Sequence, residues 1–183
     1  MKNIKKNNKG FTLIELLAVI VILAVLILLA MPQVMNLMED ARKNAFKTET
    51  QSILKSAENA FVTKTMSGGV KTVKIGSTQY RYVCMSLADF KTEGLMDKDF
   101  VKNGYSGIVE IFVPSTGTAT YGISISNGTY SFEYMTKDLL TDDAVQPGTN
   151  TKISLSCPTD ATKTVKTPDC YNAAASSKAS KCG

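Results

Sequence analysis

The sequence predicts an α+β chain: a long N-terminal α-helix, apolar in its first half and amphipathic in its second, packed on an antiparallel β-meander head with an irregular C-terminal region. Three observations carry this expectation. Residues 11–31 form an apolar run whose single charged side chain is Glu15. Apolar residues then recur at helical spacing as far as Phe61. Between Ile108 and Tyr134, three alternating, β-branched and aromatic runs are separated by turn residues.

The first element is the apolar helix. Residues 11–31 are long enough to cross a ~30 Å hydrocarbon core at about 1.5 Å per residue. Ahead of it lie Lys2, Lys5, Lys6 and Lys9 and no acid. The positive-inside rule therefore keeps residues 1–10 in the cytoplasm and sends the chain after Met31 out of it. A cleaved secretory signal has a similar basic start, but it requires small residues around a cleavage site after the apolar run. The best candidate, Leu28-Leu29-Ala30, has a bulky outer residue and is followed at once by Met31-Pro32. A plain signal anchor would have no use for Glu15. A carboxylate inside a membrane-spanning helix costs about 2.5–3.5 kcal/mol on insertion scales, which implies a partner or a purpose. Glu is also short for snorkelling to the headgroups.

The helix is expected to continue beyond the apolar run. Val34, Leu37, Met38, Ala41, Ala45, Phe46, Ile53, Ala57, Ala60 and Phe61 keep an apolar face to about Thr63, interleaved with Glu39, Asp40, Arg42, Lys43, Lys47 and Glu49. Pro32 lacks an N–H and crowds the preceding turn, so a kink is expected there. The organisation read from the sequence is thus a leader over 1–10, a transmembrane helix over 11–31, an amphipathic helix over 32–63 and a β-rich head over 64–183.

In the head, Ser67-Gly68-Gly69 ends the helix, and residues 70–84 suggest a small hairpin or a loop between helix and sheet. Ser86-Leu87-Ala88-Asp89 opens a short helical turn that Gly94 would close. Three strands follow at 108–113, 118–125 and 129–134, with Asn127-Gly128 predicting a type I′ turn. The face expected on the helix comprises Ile108 or Val109 with Tyr121, Ile123, Tyr130, Phe132 and Tyr134. From Met135 onward Asp, Thr, Ser, Pro and Lys dominate and periodicity fades.

The run Gly10-Phe11-Thr12-Leu13-Ile14-Glu15, with its basic leader and apolar sequel, resembles the processing site of type IV prepilins. The resemblance covers roughly residues 1–60 and implies the type IV pilin fold. It implies cleavage after Gly10 by a prepilin peptidase that also N-methylates Phe11. It implies that Glu15 neutralises the amine of a neighbouring subunit as a filament grows, and that Pro32 marks a place where the helix loosens. The partners it implies are further copies of the chain in a homo-oligomeric filament, the peptidase/methyltransferase, a pilus assembly platform with its ATPase, and the membrane before assembly. The functions would be those of a surface pilus: adhesion, motility and biofilm formation. A pseudopilin of a type II secretion or competence DNA-uptake apparatus would share the same N-terminus. A membrane-anchored binding or enzymatic domain that never polymerises is a third reading. The Lys- and Asn-rich composition fits a low-GC host such as a clostridium.

Catalysis finds little support in the residue types. The chain has no His, which removes Ser-His and Cys-His nucleophile pairs, imidazole bases and H-E-x-x-H metal helices. No Gly-rich phosphate loop follows a strand, and no cofactor is expected. Asp138, Asp142 and Asp143 lack EF-hand spacing and suggest a solvated turn. Of the 21 basic side chains four lie in the leader, which leaves 17 against 16 acidic ones. That balance argues against a strongly nucleic-acid-binding surface. Cys84 lies on an expected strand and Cys157, Cys170 and Cys182 in the C-terminal region. Without C-x-x-C or His a zinc site is not expected. Export permits disulfides, and four cysteines allow three full pairings. A Cys157–Cys170 bridge would close a short loop worth about 3 kcal/mol. Many pilins staple this region, so at least one bridge in the C-terminal region is expected, with Cys84 unassigned.

Overall fold

The computed structural model describes residues 11–96, 100–148 and 157. The chain divides into two compact units, residues 1–41 and 42–183. One helix, α1 (Leu13–Met66), contributes to both. Pro32 lies inside it rather than ending it. Proline contributes no N–H to the helical ladder there.

In the first unit every described residue is solvent-exposed, including Phe11, Ile14 and Leu28 at 88%, 73% and 75%. Such an apolar surface is stable only against lipid or other protein. α1 is long and apolar enough in this part to cross a membrane.

In the second unit α1 turns Phe46, Thr50, Ile53, Leu54, Ala57 and Ala60 to one side, the i, i+4, i+7 stripe of an amphipathic helix. Among the described residues of this unit, six strands in sequential order form one β-sheet. They are β1 (Lys71–Ile75), β2 (Thr78–Ser86), β3 (Ser106–Pro114), β4 (Thr120–Ser126), β5 (Tyr130–Thr136) and the short β6 (Gln146–Pro147). All pairs are antiparallel. The result is the α+β class that the sequence predicts, with the meander extended by strands at both edges. Residues 70–84, expected as a hairpin or a loop, contribute to the β1–β2 hairpin, which joins the main sheet through Tyr82↔Phe112 and its neighbours. Val83, Met85, Val109, Ile111, Ile123, Ile125 and Phe132 meet the helix stripe in one core. Phe46 is its centre, stacked at 5.1 Å on Phe132 and 5.9 Å from Tyr105.

α2 (Leu87–Thr92) begins where Ser86 predicts. Ser86 Oγ accepts from Asp89 N–H at 3.1 Å, and Asp89 Oδ2 accepts in return from Ser86 N–H at 2.9 Å, a full capping box. Gly107 has φ +138 and a Cβ there would stand 2.1 Å from the Ser124 carbonyl, so only glycine lets β3 and β4 close at that point.

Two local expectations are corrected. The Asn127-Gly128 connection is not a type I′ turn, because that turn needs positive φ at both residues and only Gly128, at +83, has it. Asn127 Oδ1 instead accepts from the Thr129 and Tyr130 N–H groups at 3.1 and 2.8 Å, an Asx turn that spans a longer loop. Tyr134 does not lie on the helix side. A register shift between Ile123 and Ile125 and a left-handed Tyr134, φ 48, reset the alternation of β5, and Tyr134 packs with Val73, Tyr82 and Phe112 on the other face. Ile108 is likewise buried outside the helix-side core, which takes Val109. After β5 the chain forms two 3-10 turns, Lys137–Leu139 and Asp142–Ala144, before β6.

Candidate functional site

The N-terminus of α1 is built from two side chains, Thr12 and Glu15. Thr12 is not yet helical, but its carbonyl already accepts the first helical bond, from Leu16 N–H at 3.2 Å. Its hydroxyl accepts from Glu15 N–H at 3.3 Å and donates to Glu15 Oε2 at 2.8 Å. The same Oε2 accepts from Thr12 N–H at 2.8 Å. This is a reciprocal capping box, in which two orphan N–H groups at the helix start are satisfied by side chains. A carboxylate in the first turn also lies at the positive end of the helix dipole.

Thr12 is the residue that the sequence reading missed, although the signal was present. Thr12-x-x-Glu15 before an apolar run is the capping-box signature. The geometry fixes the Glu15 carboxylate one turn from Phe11, which is 88% exposed at the start of the described chain. Gly10, on the other side of the expected scissile bond, lies outside the described residues. The geometry can thus offer an oriented acceptor beside any cation that approaches the N-terminal edge of the helix. Thr12 acts on that acceptor as a positioning residue.

The head carries four polar contacts of note. Tyr82 donates to buried Glu110 Oε1 at 2.6 Å. Burial first, and then the Glu110 carboxylate, push the Tyr82 phenol well above its ordinary range. Tyr105 donates to Glu49 on α1 and is pushed up for the same reasons, burial again leading. Lys137 reaches Glu58 Oε1 at 3.0 Å, and this hydrogen bond raises the lysine. Asp142, expected in a solvated turn, meets Lys47 Nζ at 2.6 Å. Tyr82, Glu110 and Asp142 therefore have structural partners, and among the described residues no group of three or more His, Cys, Asp or Glu could hold a metal.

The cysteines pair differently from the short-loop expectation. Cys157 is bonded to Cys84 on β2, with Cα atoms 5.7 Å apart, and not to Cys170. Cys84 stands on β2 beside Val73, Tyr82 and Phe112, and sequence spacing cannot show that. Cys170 and Cys182 lie outside the described residues.

Residues 5–31 match the family model of the prokaryotic N-terminal methylation motif, which supports a type IV pilin-like prepilin, pilus subunit or pseudopilin alike. Comparison with curated proteins and with solved structures gives no match for the chain. An apolar helix behind such a motif fits anchoring in a membrane before assembly.

Proposed function

We propose that this chain is the structural subunit of a type IV pilus, cut after Gly10, N-methylated on Phe11 and assembled through the apolar half of α1 into a surface filament for adhesion, motility and biofilm formation. The observation that carries the reading is the coincidence of three features. The methylation motif spans residues 5–31, the exposed apolar half of α1 lies largely within it and runs on to Met38, and a carboxylate is anchored one turn beyond the expected new N-terminus.

The chemistry follows from those features. Cleavage would turn Phe11 into an ammonium at the edge of an apolar helix. When subunits pack helix to helix, that charge enters a region of low dielectric. Glu15 of an adjacent copy supplies the counter-charge. Such a pair adds little net stability, but a misplaced subunit leaves one member unpaired at about 3–5 kcal/mol, so the pair acts as a register device. Pro32 is the proposed point at which the helix loosens in the filament. A peptidase/methyltransferase, an assembly platform and its ATPase would be the transient partners.

The motif suits a pseudopilin of a secretion or competence apparatus equally well. The long Ser/Thr-rich C-terminal region and its cysteine content favour the pilus. Immunogold electron microscopy of sheared surface material tests the proposal. Labelled filaments of micrometre length are expected. Label confined to the cell envelope would favour the pseudopilin, and absence of any fibre would favour a non-polymerising anchor.

A further inference from the structure

Among the described residues the sheet runs in strict sequence order, so β1 and β6 stand at its opposite edges. Charge is divided between the same two edges. Residues 64–88, which include β1 and β2, hold Lys64, Lys71, Lys74 and Arg81 and no acid. Residues 131–148, which cover most of β5, both 3-10 turns and β6, hold Glu133, Asp138, Asp142 and Asp143 against the single base Lys137. The chain beyond residue 10 carries 17 basic and 16 acidic side chains, so this is segregation rather than an excess of one sign.

Part of each patch is already used inside the head. On the basic side Lys64 is held by Glu93 and Arg81 lies over the Phe61 ring. On the acidic side Lys47 holds Asp142, and Lys137 is taken by Glu58. Lys71, Lys74, Asp138 and Asp143 are exposed, and among the described residues they form no salt bridge. Lys71 and Lys74 alternate to opposite faces of the sheet, so a partner that meets β1 edge-on finds a cation on either side. Edge lysines keep like edges apart, which disfavours a β1-to-β1 pairing of two copies. Pro147 blunts the β6 edge in the same way. Unlike edges are left to meet, with the cations of one copy against the carboxylates of the next. Such a contact is heterologous, and where its rotation does not close it propagates as a helical filament.

We propose that the Lys71–Lys74 edge of one head docks against the Asp138–Asp143 edge of a second copy, a charge-matched contact between neighbouring subunits that rests on the filament reading above. Exposed ion pairs hold weakly, but complementary patches steer and orient an encounter, and like charges brought together repel. The apolar half of α1 supplies the attraction between copies. The two edges select which orientation of the heads is accepted.

The test uses the full chain in membranes and in sheared filaments from the native host. A zero-length carbodiimide joins a lysine directly to a carboxylate. Four strand spacings, roughly 19 Å, separate β1 from β5, so a link from Lys71 or Lys74 to Asp138 or Asp143, which follow β5, has to join two copies. Peptide mass spectrometry of filaments is expected to find such links. Lys71→Glu with Lys74→Glu, or Asp138→Lys with Asp143→Lys, should cut filament yield roughly tenfold with processed subunit unchanged in the membrane, and all four changes together should restore it to within about twofold. A merely structural role for these side chains would not be rescued by exchanging both signs. Filaments without these links, full yield from either pair of changes, or a quadruple variant as poor as either pair would overturn the docking and leave the filament standing. Links in membranes that yield no filament would overturn the filament and keep the docking, and membranes with neither would overturn both.

Discussion

Glu15 has two separable jobs in this account, and three substitutions tell them apart. Within the chain its Oε2 accepts from the Thr12 N–H and hydroxyl, each at 2.8 Å. Between chains its charge is proposed to meet the Phe11 ammonium. Thr12→Val removes the hydroxyl from the box but leaves the carboxylate, and loss of an N-cap costs about 1 kcal/mol, or roughly a fivefold loss. Glu15→Gln keeps an acceptor at the third helical position, which capping boxes tolerate, but removes the charge. Glu15→Val removes both and should enter the membrane better than the native chain, since it sheds a charge costing about 2.5–3.5 kcal/mol. An ammonium left unpaired in the filament costs about 3–5 kcal/mol, which is more than a hundredfold. Immunoblots of sheared surface and membrane fractions should therefore show reduced but clear filaments for Thr12→Val, and processed subunit without filaments for Glu15→Gln and Glu15→Val. If Thr12→Val and Glu15→Val fail equally while Glu15→Gln assembles, capping is the whole role of Glu15 and the charge-pair argument is wrong. Abundant filaments of normal length from Glu15→Val would defeat both.

Three further outcomes are expected. Phe46→Ala should destabilise the head by about 3–5 kcal/mol, because it empties the centre of the ring cluster with Phe132 and Tyr105; a thermal midpoint unchanged by circular dichroism would contradict the packing. Removing residues 1–35 should yield a soluble, folded monomer by size-exclusion chromatography, since it deletes most of the exposed apolar helix; large assemblies would show that the head polymerises by itself. Tyr82 and Tyr105 have phenols raised on folding, so their contribution is complete below about pH 10 and is lost as pH rises towards the folded values. The denaturant midpoint should fall above pH 10, and Tyr82→Phe should flatten that fall while lowering the midpoint at neutral pH by taking the Tyr82 hydrogen bond from Glu110.

Elements whose pattern is local were legible in the sequence. The helical stripe of Phe46, Ile53, Ala57 and Ala60 could be followed by spacing alone, because burial repeats with the helix period. The strands from Ile108 to Tyr134 were visible by their alternation and the turn residues between them, and the start of α2 by its cap at Ser86. β1 was not visible as part of the main sheet: it is an edge strand with exposed Lys71, Thr72 and Lys74, and only Val73 is buried. The face of Tyr134 does not follow from alternation, which carries through a strand only until a bulge resets it. The form of the Asn127 turn is not fixed by the Asn-Gly pair, because the Asn127 side-chain carbonyl takes the place of a backbone acceptor. At the candidate site Glu15 stood out as a lone charge, whereas Thr12 needed its partner three residues on to acquire meaning. The Cys84–Cys157 bond joins residues 73 apart in sequence, and nothing in their spacing selects it over the other pairings.

The most direct test of the central claim is the intact mass and N-terminal peptide of the protein purified from its native host. The account predicts a chain that begins at Phe11 and carries one added methyl group on its amine, together with an uncut, membrane-retained precursor in a Gly10→Arg strain. An N-terminus beyond Ala30, or an unprocessed chain that begins at Met1, would contradict it.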